Sequence, residues 1–252
     1  MSDALSPETL RTNEPSAVLH SVLVVVAAFA TGIAFIILGS SILLGLGIVQ
    51  GENSLGINLA GSILQFAGFG VVIWVYLEKR SNWNLIHISW PSLRDIGWII
   101  GGLGILYLSV TILGIIISLF GQEPAQNAVV AIGEQNPVYF LYMIPVAIFL
   151  VGPAEEFLFR GIVQGLFRRS FGVIPAVLLA SVMFGVVHVI ALIGTSSGIM
   201  IYIAITVALG LILGAVYERT KNIIVPIAIH GFWNALIFVI QWLSTTGQIP
   251  SA

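Results

Sequence analysis

Glu155 and Glu156 stand side by side in an otherwise apolar run, and Arg160 follows four residues after the second of them. Placing such a group near the centre of a membrane helix costs roughly 2.5 to 3.5 kcal/mol. Glu156 and Arg160 share a helix face and can pair. Glu155 is turned about 100° away. Its outlets are a water-filled cavity, a proton, or a partner on another helix. A carboxylate kept from water is the kind of base that works near neutrality. Two further polar pairs lie in later apolar runs: His188, four residues after Phe184, and His230, four residues before Asn234. One membrane histidine alone more often joins two helices than catalyses. Glu156 with Arg160 alone would serve as an interhelical ion pair. The second carboxylate and the combination point to a shared site.

Depth tests that idea. At ~1.5 Å per residue from the basic end of each span, Glu155, His188, His230 and Asn234 lie roughly 18, 20, 12 and 18 Å in, all near the midplane. His20 and His87 fall at a span edge and in a connection, where solvation is the default.

The elements that must carry these groups are transmembrane helices. The chain has 252 residues, 58% hydrophobic and 8% charged, with a mean hydropathy of +1.06. That excludes an ordinary soluble domain and a disordered chain. Without cysteine there is no thiolate metal site or cysteine nucleophile. No basic tract suits nucleic acid. The expected fold is all-α, a single polytopic bundle of about seven to eight spans. Residues 1–16 read as a disordered polar lead, without the features of a signal peptide. The run 17–49 is too long for a ~30 Å core, so it should tilt, kink at Gly39, Gly45 or Gly47, or include a re-entrant piece. Further spans are expected at about 57–77, 96–120, 138–167, 173–193, 199–217 and 223–243, with 121–137 a polar loop. Gly97/Gly101, Gly161/Gly165 and Gly210/Gly214 have the spacing that lets helices approach closely.

Of nine Lys and Arg, Arg160 is within a span and the other eight all fall on the side of the N-terminus. The positive-inside rule then puts the N-terminus in the cytosol and the C-terminus outside. The absence of a retention or sorting tail points to a prokaryotic plasma membrane.

Glu155-Glu156-x-x-x-Arg160, Phe184-x-x-x-His188 and His230-x-x-x-Asn234 together resemble the motif set of the CPBP intramembrane proteases. That family is named for type 2 CAAX prenyl proteases and bacteriocin-processing enzymes. The resemblance covers about 138–243, the expected protease core, and the family is described with eight spans. It implies a glutamic endopeptidase acting without a cofactor on a membrane-associated peptide or protein, prenylated or otherwise hydrophobic. It further implies that Glu155 takes a proton from water that His188 orients. His230 and Asn234 would donate to the oxyanion, with Glu156, Arg160 and Phe184 in support. No serine or threonine is expected at that depth beside a histidine, so activated water is the simpler nucleophile. Two other readings stand beside this one. Glu155, His188 and His230 are compatible with zinc and an open position, although no H-E-x-x-H stretch is present. A proton-coupled transporter could use the same cluster as a relay, although no inverted repeat is visible.

Overall fold

The computed structural model describes residues 14–49, 51 and 54–249. Seven helices among them are long and apolar enough to cross a membrane. They are α1 (Glu14–Gly45), α2 (Leu55–Arg80), α3 (Leu93–Leu119), α5 (Val138–Phe171), α6 (Val173–Val187, extended by a 3₁₀ turn to Ala191), α7 (Ser196–Thr220) and α8 (Ile224–Thr245). The short helix α4 (Ala128–Gln135) lies between α3 and α5. The fold is the all-α bundle expected from composition.

The long first run is one uninterrupted helix of 32 residues, about 48 Å at 1.5 Å per residue. It does not break at Gly39. A Cβ there would lie 2.4 Å from the Leu64 side chain, so this glycine serves packing on α2. The chain turns away only after Gly45, through Gly47 at φ 67°. The expected lead falls mostly outside the described residues, and helix is already present at Glu14.

The stretch 121–137 is not a plain loop. Gln126–Asn127 (β1) pairs antiparallel with Leu192–Ile193 (β2). Asn127 then caps α4, accepting from the Val129 N–H at 3.0 Å. The apolar run of α4 is too short to span, so hydropathy alone hides it. Gly133 presses against Phe140 of α5, where a Cβ would sit 2.2 Å from the ring.

α5 is the axis of the bundle, packing on α1, α2, α4, α6 and α8. It is not a uniform α-helix. Ala147–Val151 and Phe157–Val163 are π-helical and flank Gly152–Glu156. Pro153 has no N–H to donate back along the helix, and a wider preceding turn accommodates its ring. α8 crosses α5 at a pair of glycines. A Cβ on Gly152 would lie 3.2 Å from Gly231 Cα, and one on Gly231 would lie 3.0 Å from Ile148 Cα. Backbone meets backbone here, which brings His230 against the two glutamates.

The basic ends of the helices are bound together. Arg80 donates to His20 at 3.2 Å. The Arg169 guanidinium reaches Asn82 and Asn84 at 3.0 and 2.7 Å. The Ile223 N–H reaches the His87 carbonyl at 2.9 Å. The opposite end carries Glu123, Glu134 and the β1–β2 pair.

Candidate active site

Glu155, His188, His230 and Asn234 line one cavity of about 230 Å³. Four residues from three spans thus meet, and the two histidines are held by different local devices.

His188 is the first residue after the α-helical part of α6. Its backbone N–H turns to Gly185 and Val186 in a tighter 3₁₀ turn, away from the Phe184 carbonyl that an α-helix would give it. The side chain takes that carbonyl instead, with Nδ1 at 2.6 Å from Phe184 O. A carbonyl only accepts, so Nδ1 carries the proton and Nε2 of the neutral ring is an acceptor. The expected span to Ile193 is therefore corrected: the α-helix stops one residue before His188 and the chain passes through the 3₁₀ turn into β2.

His230 is placed by the glycine crossing. Its Nδ1 lies 2.8 Å from Glu156 Oε1. The same oxygen accepts from Arg160 Nη1 at 3.0 Å. Arg160 is always charged, so its partner is a carboxylate and the His230 Nδ1–H donates to it. The Nε2 of His230 then faces Glu155, 3.8 Å from Oε2, beyond hydrogen-bond range.

The two glutamates therefore differ. Glu156 and Arg160 are 0% and 1% exposed and pair as their four-residue spacing predicts. Arg160 Nη2 also donates to the Gly210 carbonyl at 3.3 Å, and its guanidinium lies 4.3 Å over the Phe184 ring. One turn along, Gln164 donates to the Gly214 carbonyl at 3.2 Å and to Glu218 at 3.1 Å. A Cβ on Gly214 would lie 2.8 Å from Gln164 Oε1, so this glycine pair opens α7 backbone to polar side chains. Gly161 and Gly165 admit Ile86 and Leu85 closely, whereas Gly97 and Gly101 meet nothing within 4 Å. Glu155, by contrast, stands in the cavity wall, and among the described residues its buried Oε2, like Oε2 of Glu156, makes no hydrogen bond.

Phe184 is the hub between these groups. Its ring meets those of His188 and His230 edge-on, with centroids 4.8 and 5.7 Å away. It touches both imidazoles and the Arg160 guanidinium without supplying a polar group of its own.

Sequence reasoning missed part of the wall. Tyr202, Asn127, Ser62 and Gln65 also line the cavity. Asn127 Nδ2 is 3.4 Å from the Tyr202 hydroxyl. Ser62 is engaged with Tyr139 at 2.9 Å and the Asn58 carbonyl at 3.0 Å. Tyr202 and Ser62 sit singly in apolar runs, where only the bend of one helix against another shows that they face a site. Among the described residues, no three His, Asp or Glu side chains form a group of the kind that holds a metal ion.

Residues 137–236, which contain every one of these motif residues, match the family described as type II CAAX prenyl endopeptidase Rce1-like. The chain is also 30% identical over 202 residues to the Bacillus subtilis (strain 168) protein named "Putative membrane peptidase YdiL", covering 75% of each chain. No solved structure matches it. By this family match and this identity the chain belongs to the CPBP family of CAAX-type membrane endopeptidases.

Proposed function

We propose that the chain hydrolyses a peptide bond of a membrane-associated substrate with water activated by Glu155. The observation that carries this reading is the contrast within the glutamate pair: Glu156 Oε1 is held by both Arg160 and His230, while Glu155 lines the cavity. Glu155 takes a proton from water, and the hydroxide adds to the scissile carbonyl carbon. His188 orients that water through its acceptor Nε2. The Asn234 amide, which makes no hydrogen bond among the described residues, donates to the oxyanion. The proton on Glu155 then passes to the leaving amine as the C–N bond breaks.

His230 needs a refinement of the role expected for it. With Nδ1–H committed to Glu156, the neutral ring offers a lone pair at Nε2 and no donor. Glu155, Glu156 and Arg160 together carry one negative charge when ionised, and an imidazolium at His230 neutralises the cluster. In that state Nε2–H donates to the oxyanion. The mechanism uses no cofactor.

The wall of Phe29, Phe66, Val130 and Phe238 suits a hydrophobic or lipidated peptide. The basic ends belong in the cytosol of a prokaryotic plasma membrane. The cavity, lined by Asn127, Val130, Ile190 and Ala191, then opens on the opposite half. Because the chain has no cysteine, Glu123→Cys should react with an impermeant maleimide in intact cells and Lys79→Cys only after lysis. The reverse pattern would overturn this orientation.

The decisive experiment for the reaction is cleavage of a peptide library, prenylated members included, by the purified protein, read by mass spectrometry with and without chelator. Chelation should leave cleavage intact. Loss restored by added zinc would overturn the metal-free scheme, and no cleavage of any peptide would remove the endopeptidase reading.

A further inference from the structure

A second cleft, of about 300 Å³, lies at the basic end, away from the site just described. Its wall is formed by the end of α5, the connection before α3, and the end of α7. Arg168, Arg169 and Lys221 face it, with Glu218 the single carboxylate. Arg168 Nε lies 3.0 Å from Glu218 Oε2. Lys221 pairs with that same oxygen, and the other oxygen accepts from Gln164 at 3.1 Å. One carboxylate therefore serves two cations. Arg169 is held by two neutral asparagine oxygens, so it adds its charge without a counter-ion. Three cations against one anion leave two positive charges at the mouth of an otherwise apolar bundle. His87 stands at the same wall.

The surface beside the cleft is apolar and continuous. Val173 lines the cleft, and on the same helix Ile174, Leu178 and Val182 are 74%, 48% and 47% exposed at four-residue spacing. That stripe runs from the cleft along the bilayer-facing side of α6. Trp83, 48% exposed, flanks the cleft's Asn84, as an aromatic ring at the headgroup level does.

We propose that this cleft binds the phosphate of an anionic phospholipid, with an acyl chain laid along Ile174, Leu178 and Val182. The charge excess selects a phosphodiester without a compensating ammonium. The stripe selects a lipid over a soluble phosphate, which has nothing to set against it. The site is independent of the peptidase reading, because none of its residues lines the Glu155 cavity.

The test is native mass spectrometry of the purified full chain with phosphatidylglycerol, phosphatidylcholine, or soluble glycerol phosphate as probe. Phosphatidylglycerol should be retained at least about tenfold better than phosphatidylcholine, and glycerol phosphate should not be retained. Arg168→Gln combined with Lys221→Gln should reduce the preference about 5- to 30-fold, from the worth of one or two basic side chains at an anionic surface. Equal retention of the two lipids by the wild-type protein would overturn the proposal, and so would an undiminished preference in the double variant. Equal retention of glycerol phosphate would overturn the assignment to a lipid. The wild-type comparison decides the matter even where the double variant is not recovered folded.

Discussion

On the basic-end side of Glu156 hydrogen bonds link the buried polar groups: Glu156 Oε1 with Arg160 and His230, Arg160 with Gly210, Gln164 Nε2 with Gly214 and Glu218, while Glu156 Oε2 and Gln164 Oε1 make none among the described residues. On the other side, Glu155, His188 and Asn234 line a cavity with few partners. The boundary runs between two consecutive residues of one helix. Residue type cannot account for the difference, since both are glutamates. What separates them is the 100° between neighbours on a helix and what α7 and α8 place on each face. The engaged half locates the open half: by holding His230 at Nδ1, Glu156 aims Nε2 at Glu155.

Glu155→Gln should give the largest effect. It keeps shape and removes the base, so turnover should fall about 10²- to 10⁴-fold with the unfolding midpoint in detergent unchanged. Comparable turnover would mean that the open half does no chemistry. Arg160→Met attacks the engaged half, leaving Glu156 a buried carboxylate without its cation. It should cost about 3 to 5 kcal/mol of stability, seen as lower yield and earlier denaturant unfolding, and a loss under about 1 kcal/mol would show that the pairing is incidental. Asn234→Ala should lower kcat about 10²- to 10³-fold with KM little changed, as for removal of one oxyanion donor. An effect confined to KM would make Asn234 a substrate contact.

The readable parts of this molecule were those with a local energetic signature. Seven apolar runs and six ionisable or polar motif residues show in the sequence because a charge or polar group in lipid is costly and must have a reason. The Glu156–Arg160 pair was legible from spacing alone. The Glu156–His230 bond was not, because it depends on Gly152 and Gly231 meeting across 79 positions of chain. Glycine spacing within one helix was an uneven guide: Gly161/Gly165 and Gly210/Gly214 admit close neighbours, whereas Gly97 and Gly101 meet nothing within 4 Å. The 3₁₀ turn at His188 was hidden too, as an apolar run reads the same through a change of helix type. α4 escaped because its apolar run is short and lies among polar residues. Tyr202 escaped for the opposite reason, being one polar tip in an apolar helix.

Tyr202→Phe sharpens the contrast at its smallest expected scale. Among the described residues the hydroxyl has one partner across the cavity rim, Asn127 Nδ2 at 3.4 Å, near the long limit for a hydrogen bond. Asn127 is held independently, because its Oδ1 caps α4 through the Val129 N–H. Removing the hydroxyl leaves α4 and the ring's packing in place, so about 0.5 to 1.5 kcal/mol is at stake. Turnover at saturating peptide should be unchanged and KM should rise about 2- to 10-fold, as for lost binding felt equally in ground and transition states. Asn127→Ala removes the same contact together with the cap, which alone is worth about 0.5 to 2 kcal/mol. It should therefore exceed Tyr202→Phe in KM and also lower stability. A fall in kcat of a hundredfold for Tyr202→Phe would move the hydroxyl from the rim into the reacting groups, and the open half would then contain a donor beyond His230 and Asn234.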